Sequence, residues 1–116
     1  MVIQNHAYPT RAIEHMMGGE GRFEIEDILQ PEQMHGKGRL FARGTLQPGH
    51  SVGYHFHEKD MEICFFLSGT GIVEDETGTK TAVQAGDTNI VDAGHGHKIV
   101  NTGTQPLQYL AVILYA

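Results

Sequence analysis

The chain has one cysteine, Cys64, and no tryptophan among its 116 residues. A single thiol excludes an intramolecular disulfide, and the compartment it suggests is a reducing cytoplasm. Charged residues are only 19% of the chain against 40% hydrophobic ones, too little charge for a disordered chain and enough apolar material for one packed core. Basic residues are the scarcer sign: 8 Lys and Arg stand against 14 Asp and Glu, a net charge of −6. That balance argues against nucleic acid and against an anionic membrane surface, both of which select basic patches. No apolar run approaches the roughly 18 residues a membrane span needs. The start, MVIQNHAYPTRAIEH, has no basic end followed by an apolar stretch, so no signal peptide is expected. The length admits one domain.

Helical patterning is also missing. No segment sustains an apolar period of 3.6 over three turns, and only Pro31-Glu32-Gln33-Met34-His35 could make a single helical turn. Glycine, by contrast, is abundant at 15 residues, which implies many turns and short elements. Strand signals cover 22–29, 39–46, 53–57, 61–67, 71–76, 79–84, 87–92, 96–101 and 106–115. Thr77-Gly78 reads as a tight hairpin turn. About nine short strands at near-regular spacing mean an all-β sandwich or barrel. Residues 1–22 read as a polar, irregular N-terminal arm, and 23–116 as the single domain. The arm ends in Gly18-Gly19-Glu20-Gly21. A phosphate loop needs a strand before it and a helix after it, whereas a strand-like segment follows here, so the glycines mark a turn.

Side chains alternate along a strand. On 39–46 the apolar, partly small set Leu40, Ala42, Gly44 and Leu46 belongs inside, where Ala42 and Gly44 leave room. Arg39 and Arg43 then face solvent. The strand 106–115 is apolar on both faces, so its outer face needs a cover. A second copy of the chain, making a homodimer in which the arm packs on the partner subunit, would supply it. Residues 1–20 folded back over the strand would serve equally.

Eight histidines in an acidic chain invite a search for a metal site. His55 and His57 are two apart on a strand, so both rings point to one face. If the strands on either side of Glu58-Lys59-Asp60 pair antiparallel, Glu62 returns beside them, and His97 could close the set from the other sheet. Three imidazoles and a carboxylate suit one divalent transition metal such as Mn, Fe, Zn, Ni or Cu. Four protein ligands on an octahedral ion leave two positions open, as in a catalytic site. By the same parity Cys64 and Phe66 share the inward face of Glu62, and Ile99 that of His97. The expected pocket is therefore Leu40, Ala42, Leu46, Cys64, Phe66 and Ile99. Tyr54 and Phe56 fall on the opposite face. His95 shares the parity of His97 and is the candidate catalytic proton donor, with Cys64, Tyr109 and Tyr115 behind it; His50 could rim the same mouth. His6, His15 and His35 stand in no pattern.

The spacing around these ligands is continuous. Gly49, five residues, His55-x-His57, four residues, Glu62, six residues and Gly69 form one run; Gly86, seven residues, Gly94, two residues, His97, three residues and Asn101 form a second. The two runs resemble the two signature motifs of the cupin superfamily. They depart from them only at Asp92, where proline is usual and no metal is bound. The resemblance implies a double-stranded β-helix, or jelly-roll barrel, with a divalent metal on His55, His57, Glu62 and His97. Within the superfamily the chain is similar to small single-domain cupins of the conserved-barrel, oxalate-decarboxylase-like type. Oxalate decarboxylases carry an arginine where this chain has Val52, and oxalate oxidases carry asparagines where it has Val52 and Ala42. The chain is also too short beyond His97 for the decarboxylase lid acid. Oxalate turnover is therefore not the expectation, although oxalate or another small carboxylate could still ligate the metal.

The function expected is a metal-dependent enzyme on a small oxygen-chelating substrate, such as a carboxylate, keto acid or diketone. Decarboxylase, dioxygenase, isomerase and lyase chemistry all stay open. The alternative is a non-catalytic, metal-dependent module that binds or senses a small molecule. Storage relatives lose metal ligands, which this chain keeps. A transcriptional regulator would need a second domain.

Overall fold

The computed structural model describes residues 1–116 and contains ten strands, all paired antiparallel, with three short 3-10 turns and no α-helix. The strands are β1 Thr10–Glu14, β2 Arg22–Leu29, β3 Gly38–Leu46, β4 Ser51–His57, β5 Asp60–Ser68, β6 Thr70–Asp75, β7 Lys80–Gln84, β8 Thr88–Val91, β9 His95–Val100 and β10 Leu107–Tyr115. They form a six-stranded sheet in the order β1-β2-β3-β10-β5-β8 and a four-stranded sheet in the order β4-β9-β6-β7. From β3 onward the chain changes sheet at every connection except β6 to β7. The inner faces of the two sheets enclose the core, as in a jelly roll.

The core follows from alternation. On β10 Leu107, Tyr109, Ala111 and Ile113 are buried, and the same holds for Ala42, Gly44 and Leu46 on β3 and for Glu62, Cys64 and Phe66 on β5. Each large apolar side chain enclosed in this way contributes about 1.5–3 kcal/mol. The small residues on β3 have a use. The Phe23 ring occupies the space above Gly44 and stacks on Tyr109 at 5.6 Å, so the room expected there is filled by an aromatic pair. Asn101 is buried at the end of β9. Its amide donates to the Leu46 and Gln105 carbonyls, at 2.8 Å each, and its oxygen accepts from the Gly103 N–H. Gly78, at φ +83, supplies the left-handed residue of the β6–β7 turn, and Asp75 accepts the Thr77 and Thr79 amides across it.

Three expectations change. Residues 10–14 are not irregular. They form β1, which pairs with β2 through Ile13↔Phe23 and Arg11↔Ile25. Five residues, Thr10-Arg11-Ala12-Ile13-Glu14, with no apolar alternation carry too weak a strand signal to register alone. They are ordered because β2 offers them an open edge. Residues 1–20 do not cover β10 either, because β1 lies at the far edge, with β2 and β3 between it and β10. Finally, β4 and β5 do not pair with each other: they stand in opposite sheets, and β4 pairs with β9. The Glu58-Lys59 turn is therefore a corner between sheets rather than a hairpin loop.

Two bulges set which side chains face inward. Across β4 and β9 the register runs Val52↔Ile99 and then His55↔His97, so Gly53 and Tyr54 stand opposite one residue, Lys98. The extra residue lets Val52 and His55 both face the interior, which strict alternation forbids. Across β3 and β10 the register runs Ile113↔Leu40 and then Leu114↔Gly38, leaving Arg39 as the extra residue. It frees the Arg39 side chain to turn along the barrel rim.

Candidate metal centre

His55, His57 and His97 stand on neighbouring strands of the smaller sheet, with His55 directly across from His97. Glu62 reaches them from β5 in the larger sheet. The origin of the ligands is thus the reverse of the sequence expectation: His97 shares a sheet with the two other histidines, and the carboxylate comes from across the barrel. The four donor atoms lie within 4.8 Å of one another. The Glu62 Oε1 is 2.7 Å from His97 Nε2, 3.2 Å from His57 Nε2 and 3.6 Å from His55 Nε2; the His55 and His97 Nε2 atoms are 3.0 Å apart. Neighbouring ligands on an octahedral ion with bonds of about 2.1 Å lie about 3 Å apart, so the spacing has the right scale.

The tautomers make the argument stronger. Each imidazole has an acceptor at its other nitrogen. His55 Nδ1 donates to the Gly53 carbonyl at 2.9 Å, His57 Nδ1 to Asp60 at 2.7 Å and His97 Nδ1 to the Asn89 side-chain oxygen at 2.7 Å. Those partners hold the proton on Nδ1, which turns three Nε2 lone pairs toward one carboxylate. Lone pairs and a carboxylate that converge repel one another, and the group they complement is a cation. The donor set of three imidazoles and one carboxylate therefore fits a divalent transition metal.

Without the ion, an imidazole Nε2 that carries a proton fills the cation's place beside Glu62, and the pKa shifts reflect that contact. Burial pushes the Glu62 pKa up, but the hydrogen bonds to His55, His57 and His97 outweigh it and hold the group well below its ordinary 4.5. Burial lowers His97 against the pull of Glu62, which keeps the ring neutral. The contact with Glu62 raises His57 against burial, and Asp60 adds to the rise. Asp60 is itself raised by burial, and the hydrogen bonds from Arg39 and His57 more than offset that. Arg39 Nε donates to the second Asp60 oxygen at 2.8 Å. Arg39 thus anchors a carboxylate that orients His57, while its side chain stays half exposed, as alternation suggested. Asp60→Asn removes the charge but keeps the shape. It is expected to weaken metal affinity roughly 10–100-fold, as loss of such an outer partner does elsewhere, and competition against a fluorescent chelator measures it. An unchanged affinity would show that Asp60 does not support His57.

A cavity of about 150 Å³ opens on His55, His57 and Glu62. Of the pocket residues expected from sequence, Leu40 and Ala42 line it. Leu46, Cys64, Phe66 and Ile99 are instead fully enclosed in the core, 0–1% exposed. Burial drives the Cys64 thiol well above its ordinary 9.0, with the Glu62 charge adding, so it stays protonated and unreactive. The remaining wall is Met16, Met17, Phe23, Ile25, Gly44, Val52, Tyr109, Ala111 and Ile113, with Arg11 and Arg39 also contributing. Of these, sequence pointed only to Gly44, as interior space, and to Tyr109, as a reserve proton donor; Met16, Met17, Val52, Arg11 and Arg39 escaped it because β1, the turn at 16–18 and both bulges did. Asn89 could have been found by parity once β8 was known to pair with β5, where it stands across from Cys64.

His95 is not brought to this cavity. It is half-exposed, pairs with Glu76 and lines a separate cleft of about 310 Å³ between the two sheets. His50 packs on Gly21 and is absent from the cavity wall as well. Tyr54 and Phe56 are exposed on the outer face, as alternation required. The largest cleft, about 660 Å³, lies over β1, β2 and β3 and holds no convergent donor set.

A jelly-roll barrel with three histidines and a glutamate gathered inside defines the class. A model of the cupin domain matches residues 42–113, and the chain belongs to the cupin family. It is 43% identical over 114 residues to an oxalate-binding protein of Thermotoga maritima, spanning 98% of this chain and 93% of that one. The crystal structure of a predicted oxalate decarboxylase from Thermotoga maritima superposes with a TM-score of 0.95 at 42% identity, covering 100% of both chains. The polyketide cyclase RemF from Streptomyces resistomycificus shares the fold at 18% identity, with a TM-score of 0.80 over 98% of this chain and 78% of that one. No helix is long and apolar enough to cross a membrane.

Proposed function

We propose that the protein holds one divalent transition metal on His55, His57, Glu62 and His97 and uses it to bind a small oxygen-chelating carboxylate. Oxalate is the first candidate, on the strength of the oxalate-binding Thermotoga relative. The observation that carries the reading is the convergence of three Nε2 lone pairs and one carboxylate beside an internal cavity that His55, His57 and Glu62 line. When bound, the metal supplies Lewis-acid polarisation of the ligand's oxygens. The chain's own groups orient and enclose. Asp60, Asn89 and the Gly53 carbonyl fix the imidazoles, while Ile25, Leu40, Val52 and Ile113 keep water from the ligand.

Elemental mass spectrometry on untagged protein, purified without chelator or added metal, tests the reading. The expected result is about one divalent transition ion per chain, with oxalate binding seen by calorimetry only when the metal is present. A protein that takes up no metal on titration would overturn it. Turnover of oxalate, keto acids or diketones, assayed with and without dioxygen, separates an enzyme from a binding module.

A second copy of the chain is the cover we propose for the outer face of β10. Leu110, Val112 and Leu114 there join the exposed Phe65, Leu67 and Ile90 in one apolar surface.

A further inference from the structure

Tyr109 stands on the inner face of β10, between Gly44 of β3 and Phe66 of β5, and is 2% exposed. Its ring is clamped. Phe23 stacks on it at 5.6 Å, and Phe66 meets it at 5.3 Å with the planes tilted by 50°. Two aromatic contacts fix the direction of the phenol, so its hydroxyl is held in one place. That hydroxyl has no hydrogen-bond partner in the protein, and yet no fully enclosed side-chain polar atom in the molecule is without one. The Tyr109 oxygen must therefore open onto free space. The space that Tyr109 lines is the cavity that also exposes His55, His57 and Glu62.

An O–H that faces a cavity and has no acceptor in the protein is free to donate to whatever fills that cavity. Among the other polar groups of the wall, Arg11 pairs with Asp27 through Nε and Nη2, Arg39 pairs with Asp60 through Nε, and the histidines and Glu62 contact one another. Burial raises the phenol well above its ordinary 10.0, helped by Cys64 and Glu62, so at neutral pH it keeps its proton and can donate.

We propose that Tyr109 orients the ligand of the metal centre, its O–H donating to an oxygen of the bound carboxylate. This rests on the metal-binding reading above. Tyr109 makes the site selective for ligands that present an acceptor oxygen to the barrel wall beyond the atoms they give to the metal. Nothing in the mature site need move for this, because the ring is already held.

The test uses the cobalt(II)-loaded full chain, titrated by calorimetry with oxalate and separately with imidazole, which can bind the metal but carries no oxygen. Tyr109→Phe keeps both ring contacts and removes only the hydroxyl. The expected result is about tenfold weaker oxalate binding, with cobalt content, melting temperature and imidazole affinity unchanged. Addition of oxalate to the wild type should also perturb the ultraviolet absorption of one tyrosine, and that signal should vanish in the variant. Equal oxalate affinity in the two proteins would overturn the proposal, leaving the hydroxyl satisfied by water. Parallel loss of imidazole binding would overturn it too, by assigning the effect to ring packing. A wild type that takes up no cobalt would overturn the metal reading and this proposal together, and is distinguished from the other outcomes by its metal content.

Discussion

Replacing His57 with Ala is expected to abolish tight metal binding and to leave the barrel folded. The loss exceeds the roughly 10–100-fold expected for an outer partner such as Asp60, because a donor atom itself is removed. The fold survives because its core lies elsewhere. Thirteen buried apolar residues form one cluster around Phe66, Leu46, Ile99 and Leu107, and none of the four ligands belongs to it. Elemental analysis and a thermal melt of the variant read the two halves of the result. Unfolding of the metal-free variant would make the metal structural and sink the assignment.

Acid should act in the same direction on the wild type. Ligating imidazoles must be neutral, so protons compete with the metal and occupancy falls as pH drops. Glu62 raises His57 above its ordinary 6.5, so in the metal-free protein that ring takes its proton early in the descent. The sign for stability differs between the two partners. The stability His57 gains from its raised pKa is fully present below about 6.5 and is lost as pH rises through the folded value. The stability Glu62 gains from its depressed pKa is present above 4.5 and is lost as pH falls through the folded value. Metal release between about pH 7 and pH 5 is the expected result. Full occupancy retained at pH 4 would contradict three histidine ligands.

The second large effect comes from a residue with no side chain. Gly53→Ala would drive a methyl group into the Met17 carbonyl oxygen, a backbone atom that cannot swing aside. Met17 belongs to the turn Met16–Gly18 that closes one wall of the metal-facing cavity, and it adopts a left-handed conformation at φ 53. The turn is tied to the start of β4 by Ser51, whose hydroxyl accepts the Glu20 N–H at 2.8 Å and whose N–H donates to the Glu20 carbonyl at 2.9 Å. Overpacking at such a contact costs about 1–3 kcal/mol. The variant should melt several degrees lower and become open to proteolysis at residues 16–18, while the β4–β9 pairing that carries His55 and His97 persists. An unchanged melting temperature and unchanged protease resistance would show that the turn does not depend on this close approach.

Much of this protein was legible without coordinates. Gly- and Pro-punctuated apolar runs located nine of the ten strands to within about two residues, because short elements between turns leave few alternatives. The spacing of His55, His57, Glu62 and His97 selected the four side chains that meet inside the barrel, and alternation placed Cys64, Phe66 and Ile99 indoors. These are local or periodic properties, and a chain carries them in its own order.

What alternation could not supply was set by contacts between distant segments. β1 is a strand only because β2 offers it an edge. Val52 and Arg39 reach the cavity because bulges insert one residue against a partner strand, and neither bulge exists until β9 and β10 are in place. Glu62 meets the histidines across the barrel rather than along one sheet. Asp60, Asn89 and Tyr109 acquire their roles only through what lies opposite them. Sequence determined which residues could bind a metal; tertiary structure decided which partners hold them and what else shares the cavity, because register and sheet packing join residues far apart in the chain.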